Sequence, residues 1–174
     1  MVDYSADLTG GSSPNGHRLE LTANVVEGGQ DIAANTSRIA WTLRLRHTSG
    51  TPGSWNSQAF PWSVNIGGQS SGGSAAYDFR LNLFGTITLG SGESTVAHNP
   101  DGTLSITVSG TFTTNHIGSA TASGPLDLPR IPRGPRTKVG AVWRHTIAYT
   151  NVGGEWRIAI PYTNVGGAWR AGGA

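Results

Sequence analysis

The chain contains no cysteine, which excludes disulfides and any thiolate-ligated metal site. Charge is scarce: only 13% of the 174 residues are Asp, Glu, Lys or Arg. So little charge is unusual for a protein free in the cytosol and suits a subunit held in an assembly. No run approaches the roughly 18 apolar residues that a membrane span requires, so no membrane insertion is expected. The opening stretch "MVDYSADLTGG" has neither the basic segment nor the apolar core of a secretory signal, and the chain is expected to begin as a soluble cytoplasmic product.

Signatures of catalysis are missing too. There is no Gly-x-Ser-x-Gly elbow, no His-Glu-x-x-His and no phosphate loop. The histidines His17, His47, His98, His116 and His145 show no ligand spacing, and the few acidic residues form no pair in sequence. We expect no catalytic residue, no cofactor and no metal. A glycosidase pair assembled by folding stays open at this point.

What is present is glycine, 26 residues of it, with much Ser and Thr. "SRIAWTLRLRHT" (37–48) alternates Ile39, Trp41, Leu43 and Leu45 with Arg38, Thr42, Arg44 and Arg46. That period of two marks a half-buried antiparallel strand. "HRLELTANVV" (17–26), "FPWSVNIGG" (60–68), "AYDFRLNLFGTITLGSGE" (76–93) and "LSITVSGTF" (104–112) suit the same reading, with a last strand near 120–128. Between them lie the turn clusters "LTGGSSPNG", "SGTPGSWNSQ", "GGQSSGGS" and "HNPDGT". Residues 1–124 are therefore expected to form an all-β, antiparallel sandwich, Ig-like or jelly-roll-like, of roughly seven or eight strands.

In "HNPDGT" (98–103), Pro100 presets a turn that Asp101-Gly102 closes. Its His and Asp could also be read as a metal or acid site, against the common surface arrangement of such residues beside a turn. Asn35-Thr36-Ser37 matches a glycosylation sequon, but a turn or capping role is the expectation.

Pro125, Pro129, Pro132 and Pro135 then punctuate "PLDLPRIPRGPRTK" (125–138). Such a stretch is neither helix nor central strand. Fully extended it would reach on the order of 40 Å, at about 3.1 Å per residue. Residues 125–136 read as a Pro/Arg-rich linker, with Arg130, Arg133 and Arg136 as candidate subunit contacts. A peptide ligand for a proline-binding module is the alternative. Residues 1–124 hold five Arg against eight Asp and Glu, a net of −3, while 125–174 hold seven basic residues against two acidic, a net of +5. The basic residues are singly spaced and lack a recognition motif, so no nucleic-acid partner is expected.

Residues 137–174 carry three copies of one unit: "TKVGAVWR", "TNVGGEWR" and "TNVGGAWR", repeating every 13 residues. Gly153-Gly154 and Gly166-Gly167 suit two-residue hairpin turns, with Gly140-Ala141 a weaker version. In such hairpins Asn151 faces Trp156 and Val152 faces Glu155, so Tyr149, Asn151, Trp156, Ile158 and Ile160 share a face. A lone hairpin is marginal in water. Tyr149, Trp143, Trp156, Tyr162 and Trp169 are therefore the candidate interface. Trp41 falls in core phase. Trp55 and Trp62, in or beside a Gly/Pro/Ser loop, are candidate glycan contacts, the alternative being that they cover the end of the sandwich.

Four stretches carry a resemblance: "IAANTSRIAWTLRLR" (32–46), "VNIGGQ" (64–69), "VAHNPDGTLSITVSGTF" (96–112) and "SGPLDLPRIPR" (123–133). In this order they resemble the minor tail or minor structural proteins of long-tailed bacteriophages (siphoviruses). The C-terminal units resemble the Val-Gly-Gly-x-Trp hairpins that end many phage tail proteins. The resemblance implies a non-enzymatic virion structural protein of the tail, at the tip or in a fibre, assembled in the host cytoplasm and released by lysis. It implies other tail proteins as partners and a homo-oligomer, a trimer being one arrangement. A carbohydrate-binding module contacting host envelope glycans is the rival reading. A wall-degrading enzyme has nothing in its favour, and a capsid decoration protein is a weaker structural alternative.

Overall fold

Side-chain alternation builds one face of the core directly. Along β3 (Thr36–His47), Ser37, Ile39, Trp41, Leu43, Leu45 and His47 are buried while Arg38, Arg44 and Arg46 are exposed. β2 (His17–Asp31) runs beside it and buries His17, Leu19, Leu21 and Ala23. In this computed structural model, β1 (Val2–Asp7) and β6 (Thr86–Ala97) complete a sheet of order β1-β2-β3-β6. A second sheet has the order β5-β4-β7-β8, from β4 (Gln58–Ile66), β5 (Gln69–Tyr77), β7 (Leu104–Thr114) and β8 (Gly118–Leu128). The structure describes residues 1–8, 16–48, 58–78, 80, 84–115, 118–132, 136–139, 142–145, 148–159, 162–165 and 167–171; of 136–139, 142–145, 148, 158, 162–165 and 168–171 it describes the backbone alone.

The fold is the expected all-β sandwich. Leu19, Leu21, Ile39, Leu43 and Leu45 of one sheet and Phe60, Val64, Ile66, Val108 and Phe112 of the other are all buried. Phe60 and Phe112 meet edge to face with ring centroids 6.1 Å apart. The sheets approach closely at Gly110, where an added Cβ would run into Leu43 Cδ1. On one side Tyr4 of β1 lies over Gly124 of β8 and donates its hydroxyl hydrogen to the Pro125 carbonyl.

Three stretches differ from the sequence reading. β1 was not anticipated. "GGQSSGGS", read as a turn cluster, is a two-glycine turn followed by strand: β5 pairs with β4 over nine positions, Gln58 with Tyr77 through Ile66 with Gln69. The run 76–93, read as one strand, is the end of β5 and the start of β6. The expected linker also begins late. β8 continues to Leu128, and Leu126, Leu128 and Ile131 are buried. Pro125 fits because β8 is an edge strand, the place in a sheet where proline is tolerated.

After this come three two-stranded antiparallel sheets: β9 (Arg136–Val139) with β10 (Val142–His145), β11 (Ala148–Val152) with β12 (Glu155–Ala159), and β13 (Tyr162–Val165) with β14 (Ala168–Ala171). The chain divides into two compact units. One is Met1–Gly29, Arg38–Val96 and Ser105–Asp127; the other is Gln30–Ser37, Ala97–Leu104 and Leu128–Ala174.

Candidate functional site

The second unit is built around a buried polar node. The turn after β2 places Asn35 at φ 58, a left-handed conformation that Asn tolerates better than most residues. Its amide nitrogen donates to the carbonyls of His98 (2.8 Å) and Asn99 (3.0 Å). Ser37 Oγ lies 2.7 Å from His98 Nε2, and His98 Nδ1 lies 2.8 Å from the Gly102 carbonyl oxygen. Since the carbonyl only accepts, Nδ1 carries the hydrogen and Nε2 accepts from Ser37. A serine–imidazole pair is also the kernel of nucleophilic catalysis. Here both side chains are buried and the outer imidazole nitrogen is spent on a backbone carbonyl, so the pair holds the turn's shape.

The same turn holds the Pro/Arg segment. Ile131 N–H donates to the Gly102 carbonyl at 2.9 Å, Arg130 Nε to the Asp101 carbonyl at 3.0 Å, and Gln30 Nε2 to the Pro129 carbonyl at 2.7 Å. The Asp101 carboxylate accepts from the Thr103 hydroxyl (2.7 Å) and N–H (3.0 Å). Those bonds, with a smaller contribution from the Arg130 charge, hold its carboxyl below the ordinary range. The His and Asp of this turn thus bond to backbone and to the Ser37 and Thr103 hydroxyls, and among the described residues no three His, Asp or Glu side chains gather to hold a metal.

In the first unit His17 and His47 stack with centroids 4.4 Å apart and planes 11° from parallel. His17 Nε2 lies 3.1 Å from the Tyr77 hydroxyl. Burial, then the Asp78 charge, push the Tyr77 hydroxyl up to about 12. This cluster joins residues up to 60 positions apart. Its only sequence signal is that His17 and His47 continue the buried phase of β2 and β3.

The hairpin turns repeat a device of the sandwich. Between β4 and β5, Gly67 and Gly68 have φ 57 and 91, and Gly68 N–H donates to Asn65 Oδ1 at 3.0 Å. Between β11 and β12, Gly153 and Gly154 have φ 65 and 89, and Gly154 N–H donates to Asn151 Oδ1 at 3.0 Å. Positive φ at both central residues is the type I′ geometry that matches strand twist. The resulting register pairs Asn151 with Trp156 and Val152 with Glu155. Trp156 is 71% exposed and Tyr149 54%.

The Siphovirus protein of unknown function (DUF859) family model matches residues 8–163. The chain belongs to this siphovirus family. No curated protein and no solved structure matches it.

In this siphovirus protein the candidate residues fall in different places. Tyr149 and Trp156 lie exposed on one face of the middle hairpin. Trp143, Tyr162 and Trp169 occupy strand positions, Trp143 and Trp169 in the register of Trp156; their side chains, and that of Arg136, lie outside the described ones. Arg133 and Trp55 lie outside the described residues. Arg130 grips Asp101 within its own unit. Trp62, expected in or beside a loop, instead sits mid-strand in β4. Its ring lies 6.1 Å from that of Trp41, an added Cβ at Gly90 would strike it, and one at Gly73 would come within 3.1 Å. It packs between β5 and β6, which corrects its expected place in or beside a loop. The node at Asn35, Ser37 and His98 was missed, apart from the turn role expected of Asn35.

Proposed function

We propose that this phage protein is a structural component of the tail, at the tip or in a fibre, that assembles through its C-terminal hairpins and contributes to host attachment. The observation carrying the reading is the middle hairpin, which presents Trp156 and Tyr149 to solvent. Two isolated strands do not hold such a structure alone in water, and exposed aromatic surface marks interaction sites. The siphovirus family and the sequence resemblance to minor tail proteins supply the tail context. Immunogold labelling of purified virions tests it. Label along or at the end of tails is expected; virions free of the protein by mass spectrometry would sink the reading.

A second reading, a glycan contact, draws on the same exposed indole, since an aromatic face stacks on a sugar ring. It predicts a change in tryptophan fluorescence when host cell-wall polysaccharide is added. An unchanged spectrum together with a silent glycan array removes it.

A further inference from the structure

The three hairpins share one register. Lys138 pairs with Trp143, Asn151 with Trp156, and Asn164 with Trp169. Cross-strand partners share a face, so each hairpin repeats the same tryptophan position. The middle hairpin has one neighbour before it and one after it along the chain. If the repeats covered each other within one chain, its aromatic face would be hidden, yet Trp156 is 71% exposed.

Area and charge say what covers it. A buried aromatic contributes about 150–250 Å², so Tyr149 and Trp156 together offer roughly 300–500 Å². That falls short of the about 800 Å² per partner of a stable interface. Buried to the same extent, five aromatic positions, as the sequence of the three hairpins supplies, would give roughly 750–1,250 Å², which meets it. A partner must therefore engage all three faces at their own spacing, and a second copy of the chain carries that spacing by construction. On the aromatic face the middle and third hairpins carry no charge, with Tyr149 and Asn151 in one and Tyr162 and Asn164 in the other. The first has Arg136 and Lys138 at those positions. Glu155 and Arg157 lie on the opposite face, paired at 3.2 Å.

We infer that two copies associate through these faces about a two-fold axis, with their hairpins in antiparallel order. The middle hairpin packs on its own counterpart, and the first packs on the third. Parallel order would set Arg136 and Lys138 against themselves, where like charges repel. Antiparallel order sets these basic positions against the aromatic positions Tyr162 and Trp169, where cations are attracted to ring faces. The contact is isologous and closes on itself. It rests on the reading of the hairpins as assembly elements and names their partner.

The cysteine-free chain allows a direct test on the full-length protein. Ile158→Cys, on the middle aromatic face, is expected to cross-link to itself with a short bis-maleimide. His145→Cys and Ala171→Cys hold matching positions in the first and third hairpins. Mixed, they are expected to cross-link to each other more than either does to itself. Light scattering is expected to give a dimer that Trp156→Ala weakens at least about tenfold. Arg136→Glu with Lys138→Glu is expected to weaken it as well, without touching a tryptophan. Self-linking of His145→Cys without the mixed product overturns the antiparallel order. A monomer at tens of micromolar with no cross-link overturns the proposal, as does quenching of that monomer's tryptophans by host polysaccharide. Virion labelling reads the tail assignment independently, so the two failures are distinguishable.

Discussion

Ser37 Oγ donates a 2.7 Å hydrogen bond to His98 Nε2, across 61 residues of sequence and out of reach of solvent. Ser37→Ala leaves a buried ring nitrogen without its donor. The expected cost is about 1–3 kcal/mol of folding stability, read as a lower urea midpoint at unchanged slope. An unchanged midpoint would mean that the bond contributes nothing net.

Trp62 is seated on a glycine. A Cβ at Gly90 would meet Trp62 Cη2 and Cζ2 far inside van der Waals distance. Gly90→Ala is expected to destabilise the sandwich by about 1–3 kcal/mol through overpacking and to alter the near-ultraviolet dichroism of the Trp41–Trp62 pair. A variant with wild-type melting and dichroism would refute the close packing of this side.

The hairpin turn depends on Gly154 at φ 89. Gly154→Ala forces a Cβ into the left-handed region at a cost of about 1–2 kcal/mol. Faster amide exchange is expected across β11 and β12, with sandwich amides unaffected. Gly153→Asn, which suits the first position of this turn, is expected to exchange like wild type.

Burial, then the Asp78 charge, push the Tyr77 hydroxyl up from 10 to about 12. Its protonated form is therefore favoured by folding. That stability is fully present below pH 10 and is lost as pH rises toward 12. Denaturation midpoints taken between pH 9 and 12 are expected to fall for wild type and to fall less for Tyr77→Phe. Parallel curves would show that Tyr77 does not drive the alkaline loss.

How much of this was legible depended on whether side chains or backbone partners decide. β3 was legible because every second residue is apolar and one face is buried. The hairpin register was legible because two glycines at a turn admit one pairing. β5 was not: "QSSGGSAAY" has the composition of a loop, and its side chains, mostly exposed, carry no pattern. Its hydrogen bonds to β4 make it a strand, and those depend on where β4 lies. Trp62 misled for a related reason, since its neighbours in sequence are loop-like while its neighbours in space are Gly73, Gly90 and Trp41.

By itself the sequence determined the all-β class, the "HNPDGT" turn, the tandem hairpins and the siphovirus kinship. The first three follow from local chemistry: period-two alternation, residues that allow positive φ, and repeated short motifs; the kinship rests on the resemblance and on the family match over residues 8–163. Tertiary structure alone decided that Asn35, Ser37 and His98 meet, that "LPRI" docks on the Asp101-Gly102 turn, and that Trp62 is packing while Trp156 is surface. Such contacts join residues from 11 positions apart (Trp62 and Gly73) to 64 (Asn35 and Asn99), and nothing in local chemistry selects a partner at such distances. Burial selects it, by removing apolar surface from water and by favouring arrangements in which most hidden donors and acceptors find a mate.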